Sequence, residues 1–299
     1  MMLDYQTIRA LSAVIRTGSF DKAARQLGVT ASAISQRVKG LEDRLGTVLV
    51  VRGQPCEPTD VGRRLIQHAD DVALLEHAVA RDLGYAAASE TVGTTIRVAA
   101  NADSLATWFV TALAAAGDPV LYDVVIDDQD HSLDWLARGE VVAAISGQDQ
   151  AIQGCDCRPL GALRYIPTAS PAFVARWFAD GLSVEAFKRA PSMTFNGKDQ
   201  LHHDWVKGQT GQSVVMPTHW LPSTQAFLDA AKVGLGWGMN PEVLVREALA
   251  SGQLVALMPD QPYDVPLYWH TSRLASQALK PLTEAVTQVA ASMLAPISG

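Results

Sequence analysis

The chain has 299 residues, 48% of them hydrophobic, which is enough for two or three globular domains with a substantial core. Its formal net charge of −7 is unevenly distributed, because residues 1–64 carry ten Lys/Arg against six Asp/Glu, a balance of +4. Charged residues interrupt the N-terminal apolar residues, no stretch is long enough to span a bilayer, and the three cysteines are an odd number. These features argue against a secreted, membrane-spanning or disulfide-stabilised protein, and we expect a cytoplasmic one.

Two short helices are predicted before residue 28. The first, over about 4–16, directs Ile8, Leu11 and Ile15 to one side. The second begins at Ser19 and carries small alanines, which allow another helix to cross it closely. Together they predict the first two helices of a three-helix core.

The third helix has its own start, stop and polar face. Thr30 is a favourable N-cap and Gly46 a stop signal. Between them an apolar stripe recurs at spacings of four, three and four residues, at Ile34, Val38, Leu41 and Leu45. The opposite face carries side chains that can reach base edges and phosphates: Ser32, Ser35, Gln36, Arg37 and Lys39. The pattern predicts a helix-turn-helix that places this face in the major groove of DNA, with a helical hairpin bearing a solvated face as the alternative.

A short strand at 48–52 and a turn at 53–58 predict a wing, with Arg52 beside the DNA backbone. Thr59 then begins a long helix to about residue 87, whose apolar residues form an almost uninterrupted seam. One helix cannot bury such a seam alone. We therefore expect an intermolecular dimerisation helix, the alternative being packing on its own domain.

Beyond residue 93 the pattern changes to alternating strands and helices. Strands are predicted at 95–100, 121–126, 141–145, 192–195, 213–216, 235–239, 254–257 and 267–270. Helices are predicted at 105–116, 133–138, 199–207, 224–233, 241–250 and 276–293. This alternation indicates an α/β body with mostly parallel sheets, divided into two lobes with a cleft between them.

The segment 101–108 follows a predicted strand and opens a helix, so its backbone N–H groups and Ser104 can receive an anion such as a carboxylate. Asp103 in the same turn suits an ammonium or guanidinium, and Asp127 and Asp128 stand at the end of another strand. The combination indicates a zwitterion with a cationic side chain. The alternative is that Asp103 only caps its helix and the aspartate pair is solvated.

The predicted helix-turn-helix and wing, residues 1–58, are called the head. Three motifs in it carry a family resemblance: A-A-x-x-L at 23–27, T-x-S-A-I-S-Q-x-x-x-x-L-E at 30–42 and L-x-x-R at 49–52. With V-G-L-G-W-G-M-N-P at 233–241, they make the chain resemble the LysR-type transcriptional regulators over its full length. It departs from the family at Ala31, where glutamine is common, and at Val50, where phenylalanine is common. The segments 101–108, 138–142 and 267–270 are similar to the ArgP/LysG branch of that family.

The resemblance implies four parts: an all-α winged helix-turn-helix domain at 1–58, a dimerisation helix and hinge at 59–92, one lobe at 93–162 plus 268–299, and a second at 163–267. The lobes would form a periplasmic-binding-protein-like body. The branch implies a homodimer or homotetramer that senses lysine or arginine and controls a gene such as an amino-acid exporter, with RNA polymerase as a further partner. The predicted effector contacts are Asn101, Ala102, Asp103, Ser104, Asp127, Asp128, Ser146, Asn196 and Asp199.

Two other functions stay open at this point. One is a regulator of the same type whose effector is acidic, aromatic or sulfur-containing. The other is an α/β enzyme or solute-binding protein with a helical appendage. The lack of any reactive motif disfavours the enzyme, and the lack of a signal-like N-terminal run disfavours an exported binding protein. We predict no catalytic residues, no metal site and no cofactor.

Overall fold

The computed structural model describes residues 4–84, 94–117, 120–126 and 132–297. The chain separates into two compact units, one holding the N-terminal helices and one holding nearly all of the α/β body. The first unit contains α1 (Tyr5–Thr17), α2 (Phe20–Gln26), α3 (Ala31–Leu45), a two-stranded hairpin of β1 (Val50–Val51) and β2 (Glu57–Pro58), and α4 (Asp60–Asp82). This confirms the predicted winged helix-turn-helix.

The ends and the core of α3 follow from its sequence. The Thr30 hydroxyl oxygen accepts a hydrogen bond from the Ala33 N–H at 3.2 Å, and Gly46 ends the helix at a φ of 68°. The stripe residues Ile34, Val38 and Leu41 are buried against the other two helices. Burial of this stripe fixes which face of α3 remains outside.

The long helix α4 is joined tightly to the head. The Thr59 hydroxyl donates to the Val48 carbonyl at 2.8 Å and accepts from the Gly62 N–H at 3.1 Å. A Cβ atom on Gly62 would overlap the carbonyl oxygen of Leu49, so only glycine fits there. Further along, Leu65 packs on the head core, as the alternative for this seam expected.

The rest of the predicted seam is partly open. In the single chain Val79 is 58% exposed, while Val72 and Leu75 are half-buried. Residues 85–87, where we expected the helix to end, lie outside the described residues. The intermolecular role of α4 stays a prediction.

The body contains a seven-stranded mixed sheet. In chain order its strands are β3 (Thr95–Ala100), β4 (Leu121–Ile126), β5 (Ala143–Ser146), β6 (Cys155–Ala169), β9 (Gly238–Pro241), β10 (Val255–Ala256) and β11 (Tyr263–Ser272). They are arranged β10-β6-β11-β5-β3-β4, with β9 also paired to β6. A separate parallel pair consists of β7 (Ser192–Thr194) and β8 (Thr218–Trp220).

Helices cover these strands. The helix after β3 consists of α5 (Ala102–Ser104), a π-helical turn (Leu105–Phe109) and α6 (Val110–Ala115). The others are α7 (Ser132–Ala137), α8 (Pro171–Trp177), α9 (Val184–Phe187), α10 (Leu201–Thr210), α11 (Thr224–Lys232), α12 (Glu242–Ala250) and α13 (Lys280–Met293). None of the helices in the described ranges combines the length and the apolar character needed to cross a bilayer.

Two features correct the predicted body. The sheets are not mostly parallel, because β6 and β11 form a long antiparallel ribbon from Tyr165 opposite Tyr263 to Cys155 opposite Ser272. No strand was predicted at the position of β6. The strand predicted at 213–216 is also wrong: the segment is irregular, and β8 follows it.

Both strands continue through 162–163 and 267–268, where the two lobe boundaries were expected, although their pairing shifts register between Leu267 and Tyr268. These two strands therefore connect the two sides of the cleft described below. The numbered lobe boundaries themselves stay predictions.

Candidate functional site

The structure gathers the predicted DNA-contact residues of α3 on its outer face. Ser32, Gln36, Arg37 and Lys39 are exposed and Ser35 is half-buried. Because the buried stripe faces the head core, these side chains point away from it together. The face has the short polar and basic groups that base and phosphate contacts require. Their contacts with DNA stay predictions.

The wing is held against α3 by a residue that the sequence analysis did not single out. One carboxylate oxygen of Glu42 accepts hydrogen bonds from the N–H groups of Leu49 and Val50, at 2.8 and 3.3 Å. Arg52 on the wing is exposed, and its guanidinium lies 5.2 Å from the centre of the Phe20 ring. The basic side chain is thus held beside α2, where it is exposed for the predicted phosphate contact.

The second candidate site is a cleft within the α/β body, with about 520 Å³ of empty space that includes open solvent. It is formed by the end of β3 and start of α5, by β6, by the segment 195–202, by α11 and by β9. Its lining residues are Asn101, Ala102, Asp103, Tyr165, Phe195, Asp199, Leu201, His202, Phe227 and Met239. Two carboxylates and several apolar groups are therefore brought together, and this lining contains no Lys or Arg.

Asp103 is bonded to two other elements of the body. Its Oδ2 accepts from the Tyr165 hydroxyl and its Oδ1 from the Thr224 hydroxyl, each at 2.6 Å. Both distances are typical of hydrogen bonds to an ionised carboxylate. The N-cap of α5 is Asn101, so Asp103 is not the helix cap that the alternative from the sequence described. Two neutral hydroxyls therefore orient the carboxylate.

Asp199 provides the second carboxylate of the cleft. Its oxygens accept hydrogen bonds from the backbone N–H groups of Phe195 and Leu201, at 3.2 and 3.0 Å. Asn196 in the same loop accepts from the N–H groups of Lys198 and Asp199 and does not line the cleft. Asp199 therefore fits the predicted effector site, whereas Asn196 holds the loop that carries it.

Two serines that were predicted to contact the effector do not line the cleft. Ser104 is fully buried and absent from the cleft lining, and its N–H donates to Asn101 Oδ1 at 3.2 Å. Ser146 is also fully buried, and its hydroxyl accepts from the Gln148 N–H at 3.0 Å. The structure thus does not bring Ser104 or Ser146 to the cleft, because both face the packed interior. Asp127 and Asp128 lie outside the described residues.

The cleft is lined by Tyr165, Phe227 and His202, and Thr224 is bonded to Asp103, although none of the four was placed there from the sequence. His202 is 1% exposed, and its Nε2 accepts from the Met239 N–H at 2.9 Å. Burial lowers the pKa of its imidazole to about 4, against a smaller opposing effect of the Asp199 charge. The ring is therefore neutral near pH 7. Of these residues, only Thr224 had a recognisable feature in the sequence, its position at the start of a clearly predicted helix.

Metal chemistry finds no support in the described part of the chain. It contains no group of three or more His, Cys, Asp or Glu side chains that could hold a metal ion. The adjacent His202 and His203 differ in burial, which agrees with their expected positions on different sides of a helix.

Comparisons with known proteins identify both units. Residues 5–63 match the family described as bacterial regulatory helix-turn-helix protein, lysR family, and residues 89–291 match the LysR substrate binding domain. The HTH-type transcriptional regulator LysG of Mycobacterium tuberculosis is 42% identical over 97% of this chain and 95% of its own.

Two solved structures extend the likeness. The crystal structure of ArgP from Mycobacterium tuberculosis is 41% identical, covering 99% of this chain and all of that one, with a TM-score of 0.77. Full-length LysG from Corynebacterium glutamicum, solved with bound effector Arg, is 31% identical, covering 98% of this chain and all of that one, with a TM-score of 0.63.

Proposed function

The chain belongs to the LysR family of transcriptional regulators and is similar to its ArgP and LysG members, and we propose that it senses a basic amino acid in the Asp103 cleft. The observation that carries this proposal is the charge of the lining, in which Asp103 and Asp199 are present without any Lys or Arg. Such a cleft favours a ligand with positive groups. Lysine and arginine each offer two, the α-ammonium and the side chain.

The aromatic and aliphatic part of the lining supports the same ligands. Phe195, Phe227 and Met239 can pack against the methylene groups of a lysine or arginine side chain. A relative of this chain, LysG from Corynebacterium glutamicum, is described as binding arginine as its effector.

Calorimetry on the purified full chain tests the effector. We expect heat of binding with L-lysine or L-arginine and much weaker binding of L-glutamate, L-phenylalanine and L-methionine. Tighter binding of an acidic, aromatic or sulfur-containing amino acid would replace the basic effector with the alternative regulator hypothesis. Turnover of a small molecule without DNA binding would support an enzyme instead.

The regulator acts by binding promoter DNA, as the family's helix-turn-helix domain implies. We propose that Ser32, Ser35, Gln36, Arg37, Lys39 and Arg52 make the contacts, because they share the exposed side of the head. In a dimer, half-sites should be spaced by about 34 Å or a multiple of it. Gel shifts with the DNA upstream of a neighbouring transporter gene should show retardation at moderate salt that responds to the effector.

The remaining proposals rest on family membership alone. They are assembly through α4 into a dimer or tetramer, contact with RNA polymerase, an exporter gene as target, and action in the cytoplasm, where promoter DNA is found. Light scattering on the full chain tests the first of these, since a monomer at micromolar concentration would contradict it.

A further inference from the structure

A basic amino acid brings a carboxylate into the cleft, and two backbone donors near the start of α5 are already engaged. At the start of α5, the Ser104 N–H donates to Asn101 Oδ1 and the Leu105 N–H donates to the Asn101 carbonyl, both at 3.2 Å. Asp103 in the same turn is negative and repels a carboxylate. A further donor in the cleft wall, away from Asp103, would therefore suit the carboxylate.

His202 has a hydrogen that meets this need. Because Nε2 accepts from the Met239 N–H, the proton of the neutral ring is on Nδ1. Within the described part of the chain, Nδ1 is buried and has no hydrogen-bond partner. A buried donor left unsatisfied costs about 1–3 kcal/mol, so its presence in the wall of a binding cleft calls for an acceptor.

The surroundings of His202 hold the ring in this state. The Trp237 and Phe227 rings lie 5.3 and 6.3 Å from the imidazole, centre to centre. The burial that lowers its pKa keeps the ring neutral, so it can offer a directed N–H without adding a positive charge that would repel a cationic ligand.

We propose that the Nδ1–H of His202 donates a hydrogen bond to the α-carboxylate of the effector, which makes His202 the residue that distinguishes an amino acid from the corresponding amine. This inference rests on the proposed function. It matches the three charged groups of lysine or arginine to three side chains of the lining: the two positive groups to Asp103 and Asp199, and the carboxylate to His202.

Two substitutions separate the two nitrogens of the ring. In His202→Gln the amide reaches the position of Nε2, where its oxygen can accept from the Met239 N–H, while the Nδ1 donor is lost. In His202→Asn the amide nitrogen replaces the Nδ1 donor, while the acceptor for Met239 is lost. The first should impair the ligand contact and the second the local fold.

The test measures the affinity of the full-length protein and both variants for L-arginine and for agmatine, which is arginine without its carboxylate. Loss of one hydrogen bond to a charged group corresponds to a weakening of about 10- to 100-fold. We expect that weakening for L-arginine in His202→Gln and a change of less than about threefold for agmatine. His202→Asn should keep most of its arginine affinity while melting at a lower temperature.

The contrary results are equally specific. Equal weakening of arginine and agmatine in His202→Gln, or no weakening of either, would overturn the carboxylate contact. If agmatine binds the wild type too weakly to measure, arginine affinity lost as strongly in His202→Asn as in His202→Gln would overturn it. His203→Gln, on the half-buried neighbour outside the lining, is the matched control and should change neither affinity.

If the wild-type protein binds no basic amino acid at all, the proposed function fails and this inference with it. That outcome is distinct from the failure of His202 alone, in which the wild type binds arginine and the variant pattern differs from the one expected.

Discussion

The recognition helix and the cleft hold their polar side chains in opposite ways. On α3, Gln36, Arg37 and Lys39 project into solvent from a helix anchored by its buried stripe. In the cleft, Asp103 is fixed by hydroxyls from two other elements, at 2.6 Å each. A surface that meets DNA can complete its contacts on docking, whereas a site for a small cation must be oriented before the ligand arrives.

The largest expected effect is a loss of effector affinity in the cleft, where Asp103 is oriented before the ligand binds. Asp103→Asn keeps the shape of the side chain but removes the charge that faces the cationic ligand. Losing one member of a buried charge pair costs about 2–5 kcal/mol, so affinity for L-lysine or L-arginine should fall by at least about 30-fold. Calorimetry measures the loss.

Binding of a non-specific DNA duplex should be unchanged in Asp103→Asn, because the substituted residue is remote in sequence from the head and belongs to the other unit. Thr224→Ser, which keeps the hydroxyl donor to Asp103, is the matched control and should retain most of the affinity. If Asp103→Asn binds arginine as the wild type does, the carboxylate is not part of the effector site.

The same contrast explains which parts could be predicted from the sequence. The head depends on contacts between near neighbours in the chain, such as Thr30 with Ala33 and Glu42 with Leu49. Its helices could therefore be predicted from cap residues and apolar periodicity. The cleft depends on contacts between distant residues: Asp103 is 62 residues from Tyr165 and 121 from Thr224. No local pattern reports such pairings, and Tyr165 lies on a strand that the sequence analysis overlooked.

Ser104 is a residue whose segment was predicted from the sequence but whose orientation was not. Its position after a strand and at a helix start predicted a turn beside the cleft, and Asn101 and Asp103 of that turn line the cleft. Which side chain of that turn faces the cleft depends on helix packing, and the structure buries Ser104 instead. Sequence reasoning located the segment but could not choose between adjacent residues.

The next effect concerns the anchoring on which the exposed face depends. Gly62→Ala would place a methyl group against the Leu49 carbonyl, so α4 and the wing must shift apart. We expect destabilisation of the head by about 1–3 kcal/mol and weaker DNA binding. Urea unfolding followed by far-UV circular dichroism gives the first quantity.

Gly40→Ala is the control within the same head. A Cβ atom on Gly40 meets open space inside α3, so the substitution should stabilise the helix by about 0.5–1 kcal/mol. Equal stability of Gly62→Ala and the wild type would mean that the junction yields freely and does not fix the wing.

A smaller effect separates two kinds of contact on the exposed side. Gln36→Ala should cost about 1–3 kcal/mol on the operator and much less on unrelated DNA, because it removes a base contact. Arg52→Ala should weaken both DNAs alike and lower the slope of log affinity against log salt by about one. Gel shifts over a range of salt concentrations distinguish them. A loss confined to the operator in Arg52→Ala would make the wing a reader of sequence.

The smallest expected effect is a pH dependence of stability that arises from His202 in the cleft. The pKa of His202 is about 4 in the folded protein and about 6.5 when unfolded, so folding favours the neutral ring. Its contribution to stability is therefore complete above pH 6.5 and is lost as pH falls towards 4, by up to about 1.4 kcal/mol per pH unit. Between pH 7 and 5.5 the wild type should lose about 1 kcal/mol more than His202→Gln, in urea unfolding of the α/β body. Parallel curves for the two proteins would show that the ring titrates as freely as an exposed one, and the cleft would then be less enclosed than the hydrogen bonds of His202 indicate.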